Sequence, residues 1–255
     1  LWLIEDTCDA LGSIYRNKKV GTFGNMSTYS FFAAHLLFGV QAGCVATDSG
    51  ILKKIVESFR DWGRECICPA GKNNVCGKRF EHNVDDMEYD HKYIYNHIGY
   101  NLASTDMQAS ILVEQLKRID TFIQKRKDNF AYLHQGLKDL EEFFILPEAT
   151  LHSDPAWFGF PLTVRNDAYF NRQTSIKRKD LLKYLDDHKI DTRLLFGGNL
   201  TRQPAYKNVK YRIADNLKIS DIIMRDTFWL GAYPGLTFEM LDYVIEIMHN
   251  FIEEL

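Results

Sequence analysis

Four of the five cysteines fall in one pattern: Cys8, then 57 residues, then Cys66-Ile67-Cys68, then seven residues, then Cys76. Three of them crowd the run Glu65 to Cys76, where Pro69 and Gly71 let the backbone turn, so Cys66, Cys68 and Cys76 can converge on one centre. Cys8 completes that centre if the fold brings it there. Four thiolates suit a structural zinc site or an iron–sulfur cluster. Unrelated reduced cysteines in a core are the competing reading. The flank of Arg64, Lys72, Lys78 and Arg79 argues against it, because positive charge favours thiolate over thiol. A disulfide framework of the secreted kind is not indicated, since the chain is long and has ample apolar content.

Two further residues carry chemistry. Asp6 ends the apolar run Leu1-Trp-Leu-Ile, and a carboxylate at the carboxyl edge of a parallel strand points into the crevice where α/β folds bind cofactors. There it can hold a pyridine nitrogen protonated, so that the ring acts as an electron sink. A helix cap or a solvated acid is the plainer alternative. His35 follows Ser30-Phe31-Phe32-Ala33-Ala34 at the end of the next apolar run. Alone it reads as a packed core histidine. In the company of Asp6 and Ser30 it reads as a proton carrier, with Ser30 as a hydroxyl able to bond a phosphate oxygen.

These residues need elements to position them. The chain has 255 residues, 45% of them hydrophobic and 25% charged, with a formal charge of −3, as in ordinary globular proteins. Basic residues are scattered, so no nucleic-acid surface is indicated. The apolar runs are too short to span a bilayer, and the protein reads as cytoplasmic with no membrane partner. Strands are predicted at Leu1–Ile4, Ser27–Phe32 and Cys44–Thr47. Asp48-Ser49 caps a helix over Gly50–Arg60, whose Ile51, Ile55 and Phe59 recur every four positions. Asp61–Gly99 reads as a long functional loop. Thr105-Asp106 opens a helical stretch continued by a second helix through Phe130, Leu133 and Leu137. A strand at Trp157–Val164, a helix at Lys179–His188, a strand at Thr192–Leu195 and a closing helix at Leu241–Ile252 follow. The expected organisation is an α/β part over 1–125 carrying the cysteine loop, then a smaller α+β part over 126–255. Leu1 is not a methionine, and a core strand with no lead-in predicts that the chain begins inside a domain.

The segments Ile4-Glu-Asp-Thr-Cys-Asp-Ala-Leu-Gly12, Ser30-Phe-Phe-Ala-Ala-His35, Asp61-Trp-Gly-Arg-Glu-Cys-Ile-Cys68, His97-Ile-Gly-Tyr-Asn101, Thr105-Asp-Met-Gln-Ala109 and Arg193-Leu-Leu-Phe-Gly-Gly-Asn199 resemble the sugar aminotransferase/dehydratase family of fold-type I vitamin B6 enzymes. Within it the chain is similar to the CDP-4-keto-6-deoxyglucose 3-dehydrases of dideoxyhexose (lipopolysaccharide O-antigen) biosynthesis. The similarity covers essentially all of the chain, which would correspond to the carboxy-terminal part of a member: a partial large α/β domain followed by a small α+β domain.

The resemblance implies a lyase using pyridoxamine 5′-phosphate (the amine form of pyridoxal phosphate) and a [2Fe–2S] cluster. Asp6 would pair with the pyridine nitrogen, Asp9 would lie near the cofactor, and Ser30 would bond its phosphate. Asn101 would reach the phosphate in the neighbouring subunit of a homodimer. His35 stands where relatives carry the lysine that forms a Schiff base, which imidazole cannot do. Cys8, Cys66, Cys68 and Cys76 match the cluster ligands, Cys8 at a position that ordinary aminotransferase relatives fill with a small residue. A nucleotide-linked (CDP-favoured) 4-keto-6-deoxyhexose substrate and a flavin/iron–sulfur reductase partner are implied. A cluster-free dehydratase or aminotransferase of the same fold, and a non-catalytic relative, are the rival readings. The family usually reads close to His-Ile-Thr-Met-Gly-Glu-Gly-Gly after the active-site histidine. This chain has Leu36-Leu-Phe-Gly-Val-Gln-Ala-Gly43, so two glycines and a threonine are lost, and Phe32 stands where tyrosine is common.

Overall fold

The computed structural model describes residues 1–69, 71–166, 174 and 176–255. In chain order the first elements are β1 (Ile4–Asp6), β2 (Ile14–Tyr15), β3 (Lys18–Lys19), β4 (Met26–Ser30), β5 (Gly43–Ala46) and α1 (Gly50–Arg60). Then come β6 (His82–Val84), β7 (Met87–Tyr89), α2 (Asp106–Leu116), α3 (Ile119–Gly136), β8 (Phe144–Ile145), β9 (Ser153–Asp154) and β10 (Gly159–Val164). The chain closes with α4 (Arg178–Asp187), β11 (Arg193–Leu194), α5 (Lys218–Asp226), β12 (Thr227–Gly231) and α6 (Phe238–Glu253). It divides into two compact units, one of residues 1–11 and 18–118, the other of residues 12–17 and 119–255. The boundary expected near residue 125 lies inside α3.

The first unit holds a sheet of order β1-β4-β5, with β1 parallel to β4 and β4 antiparallel to β5. The register Asp6↔Thr28 and Ser30↔Gly43 places the chemistry-bearing ends of β1 and β4 at one edge. Expected at Leu1–Ile4, β1 starts later because Asn25 captures Leu3: its side chain accepts the Leu3 N–H at 2.9 Å and its own N–H donates to the Leu3 carbonyl at 2.8 Å. The helix α1 begins where Ser49 predicts, with the Leu52 N–H bonded to the Ser49 hydroxyl at 3.3 Å. A reciprocal cap between Thr105 and Gln108 starts α2. Neither helix buries a residue. The span expected to be one long loop contains the antiparallel hairpin β6–β7, turned at Asp85 with φ +53°.

The second unit carries the main core. Its sheet runs β11-β12-β10-β8, every pair antiparallel, and Phe144, Phe160, Leu162 and Phe228 on it are fully buried against Leu133 of α3, Leu181 of α4 and Leu241 of α6. Phe130 stacks on Trp157 with centroids 3.7 Å apart. Expected from Trp157, β10 begins at Gly159 because the buried Arg126 takes the two preceding carbonyls, Trp157 O at 3.1 Å and Phe158 O at 2.7 Å. No helix among the described residues is long and apolar enough to cross a membrane.

Candidate active site

Asp6 leaves β1 with its carboxylate already engaged. Oδ1 accepts the Cys8 N–H at 3.2 Å and the Thr28 hydroxyl at 3.2 Å. Hydrogen bonds from Cys8, thiol first and then amide, with a smaller one from Thr28, hold this carboxyl below the usual carboxylate range. An ionised carboxylate is what a protonated pyridine nitrogen requires. Thr28 lies two residues before Ser30 on the same face of β4, and that period of two was the available signal for a residue sequence reasoning passed over. Ser30 accepts the Phe32 N–H at 3.3 Å, which keeps its hydroxyl hydrogen for another acceptor.

Glu5, also passed over, anchors the loop that leads into β4. It accepts three backbone N–H groups, from Gly21, Phe23 and Gly24, at 2.6–2.7 Å. Burial would raise its pKa, but these amides outweigh it and the net direction is down.

His35 is the best-defined group. Its Nδ1 lies 2.8 Å from the Cys8 carbonyl and 3.0 Å from Asp9 Oδ1. A carbonyl and a carboxylate can only accept, so Nδ1 carries the hydrogen. Asp9 and His35, both expected at the cofactor, are thus brought together. The loop that departs from the family pattern follows His35 and is tied down at several points. Leu37 is buried, the Gly39 N–H donates to Phe31 O at 2.7 Å, and the Gln115 and Gln108 side chains bond Phe38 N–H and Gln41 O at 2.7 and 3.0 Å. Val40, in the same loop, has a left-handed φ of +63°.

Asn101 is exposed and bridges to Asp61, beside a close approach of Gly63 and Gly99. Cys66, Cys68 and Cys76 line one small cavity together with Arg79, His91 and Lys92. The Val75 and Lys78 amides donate to the Cys68 and Cys76 sulfurs, each at 3.4 Å. The Val75 bond pulls the Cys68 thiol down, whereas burial, with a further contribution from the Cys68 side chain, pushes Cys66 up. Cys8 is not in that lining. Its sulfur sits 3.6 Å from Thr28 Oγ1, and burial followed by Asp6 pushes its thiol up. Among the described residues no group of three or more His, Cys, Asp or Glu is closed around a metal position. The soft donor set and the N–H groups aimed at sulfur fit an iron–sulfur cluster at Cys66, Cys68 and Cys76. Asp6, Ser30 and His35 fit a pyridoxamine phosphate.

The sequence matches the DegT/DnrJ/EryC1/StrS aminotransferase family over residues 1–249. The chain belongs to this family. Among curated members of the DegT/DnrJ/EryC1/StrS family it is 53% identical to the lipopolysaccharide biosynthesis protein RfbH of Salmonella typhimurium, over 98% of this chain and 56% of that protein. It is 48% identical to the dTDP-4-dehydro-2,6-dideoxy-D-glucose 3-dehydratase of Saccharopolyspora spinosa, over 99% of this chain and 54% of that protein. The chain thus spans just over half the length of these relatives. The E. coli GDP-4-keto-6-deoxy-D-mannose-3-dehydratase, solved with hydrated PLP, superposes with a TM-score of 0.81 at 27% identity, over 97% of this chain and 60% of that one. The fold is that of the fold-type I aminotransferases.

Proposed function

We propose that the protein is a C-3 dehydratase acting on a nucleotide-linked 4-keto-6-deoxyhexose in dideoxysugar biosynthesis for lipopolysaccharide, with pyridoxamine phosphate as cofactor. The observation that carries this reading is His35, whose Nδ1 is pinned between the Cys8 carbonyl and Asp9, at the position where the family resemblance implies a lysine in aminotransferases. Similarity to RfbH and to the Saccharopolyspora dehydratase supports the reaction class. When bound, the cofactor supplies an amine for the sugar ketone and a ring that accepts electrons. Asp6 would hold the pyridine nitrogen charged, and Ser30 would donate to the phosphate. Asp9 and the Cys8 carbonyl keep the imidazole oriented, so that Nε2 takes up the proton released at the cofactor's reacting carbon. With no amine on residue 35, the cofactor stays exchangeable, and the cycle ends in loss of the 3-hydroxyl rather than in amination. Asn101 completes the phosphate site across a homodimer.

The [2Fe–2S] cluster belongs to the same proposal, with Cys8, Cys66, Cys68 and Cys76 as ligands, a flavin/iron–sulfur reductase as electron donor and a CDP-linked sugar as substrate. Three thiols sharing one cavity support it. The separate place of Cys8 favours a second reading, a cluster-free dehydratase of the same fold. Iron and sulfide content with the visible spectrum separates the two.

The decisive experiment is chemical trapping. Borohydride reduction of the protein incubated with pyridoxal phosphate should leave no pyridoxyl-lysine at the active site, and His35→Lys should create one at residue 35 while abolishing dehydration. A pyridoxyl-lysine at the active site of the unmutated protein would remove the basis for a dehydratase.

A further inference from the structure

We propose that His91 is a positioning residue for the cysteine site: its ring donates a hydrogen bond to the Cys76 sulfur and thereby sets how readily a cluster held there accepts an electron. The proposal rests on the iron–sulfur reading above and adds a residue to it.

His91 is buried, 7% exposed, and its Nδ1 lies 3.6 Å from Cys76 Sγ. Two independent devices fix the ring. His82 of β6 stacks on it, with centroids 4.3 Å apart and planes 20° from parallel. The backbone beneath is tied to the cysteine turn: the His91 N–H donates to Arg79 O at 2.9 Å, and Asp90 takes the Arg79 guanidinium at 2.5 and 2.9 Å. The hairpin β6–β7 therefore delivers one imidazole to one sulfur.

Cys76 also accepts the Lys78 N–H, and Cys68 accepts the Val75 N–H. Those two donors are main chain and come with the turn, whose Asn74 and Gly77 have φ of +52° and +72°. His91 differs in being a side chain. Reduction places extra electron density on cluster sulfur, and an N–H directed at that sulfur stabilises the reduced form more than the oxidised one. Hydrogen bonding from His91 therefore raises the reduction potential, whereas burial alone would lower it.

The test uses the full protein at one fixed pH. Iron and sulfide are measured first; a parent protein that assembles no cluster refutes the iron–sulfur reading and this proposal together. With a cluster present, His91→Phe keeps the ring volume and the stack on His82 but removes the donor. Its midpoint potential, read by spectroelectrochemical titration, should shift below that of the parent. His91→Asn places an amide N–H where Nδ1 was and should restore the potential toward the parent value. A parent-like potential in His91→Phe overturns the proposal while leaving the cluster reading intact. Should His91→Phe hold too little iron to titrate, His91→Asn decides alone: a parent-like potential supports the proposal, and the same loss of iron overturns it.

Discussion

Gly63 offers a direct test of how the cysteine-bearing segment is held. Its φ is +84°, and a Cβ there would lie 1.8 Å from the His97 carbonyl oxygen. Gly99 faces it from the other side, where a Cβ would meet Gly63 N at 2.2 Å. The two glycines let the Asp61–Glu65 and Asn96–Asn101 segments touch, and two backbone bonds depend on that approach: Trp62 N–H to Tyr100 O at 2.8 Å and Asn96 N–H to Gly63 O at 2.9 Å. In Gly63→Ala the left-handed conformation costs about 1–2 kcal/mol. Relieving the clash separates the segments by roughly an ångström, and losing both bonds costs about 1 kcal/mol each. The stiffer unfolded chain returns about 0.4–1 kcal/mol. The sum is a destabilisation of about 3 kcal/mol, or roughly 100-fold in the local opening equilibrium. Native-state hydrogen exchange at the Trp62 and Asn96 amides reads this directly. Gly71→Ala is the control, because its φ is +75° yet nothing lies within 4 Å of the added carbon. It should cost about 1 kcal/mol or less and leave those amides protected. Protection in Gly63→Ala equal to that in Gly71→Ala would refute the argument from close approach.

Two pH effects follow from paired side chains in the second unit. His249 bonds Ile245 O through Nδ1 at 2.8 Å and Asp139 through Nε2 at 2.9 Å; burial opposes its protonation, but the carbonyl and the carboxylate win and raise its pKa. A raised histidine contributes stability that is fully present below about pH 6.5 and is lost as pH rises through the folded value, so Asp139→Asn should flatten the urea midpoint on that alkaline side. Asp221 is held at about 2, first by Arg202 and then by Asn199. A depressed carboxylate contributes stability above its unfolded pKa of about 3.9 that is lost as pH falls through the folded value, so Asp221→Asn should flatten the acid limb of the same measurement.

Elements with local punctuation could be read in the sequence. Ser49 and Thr105 mark the starts of α1 and α2 by side-chain caps that the structure contains. The strand β12 went unread although it is central to the second sheet. Its residues Thr227–Gly231 follow α5 without a linker, and a short strand apolar on both faces has no period to detect. The hairpin β6–β7 was missed because Asp85-Asp86 is a weak turn signal beside Asn-Gly, and its strands are largely exposed. At the site, residue types at strand ends pointed to Asp6, Ser30 and His35. The partners that orient them, Thr28 and the Cys8 carbonyl, were hidden because hydrogen bonds to main chain depend on register and leave no mark on composition. His91 reaches Cys76 only through the hairpin, so spacing alone carried no hint of it.

The way His35 is held bears on how such a protein can evolve. The imidazole leans on the backbone oxygen of residue 8, and every amino acid supplies that atom. The orientation of the imidazole is thus independent of which side chain residue 8 carries. A lineage carrying a small residue there could acquire a thiol in one codon change without disturbing the hold on the imidazole. A thiol at residue 8 can therefore be gained or lost with the histidine still in place.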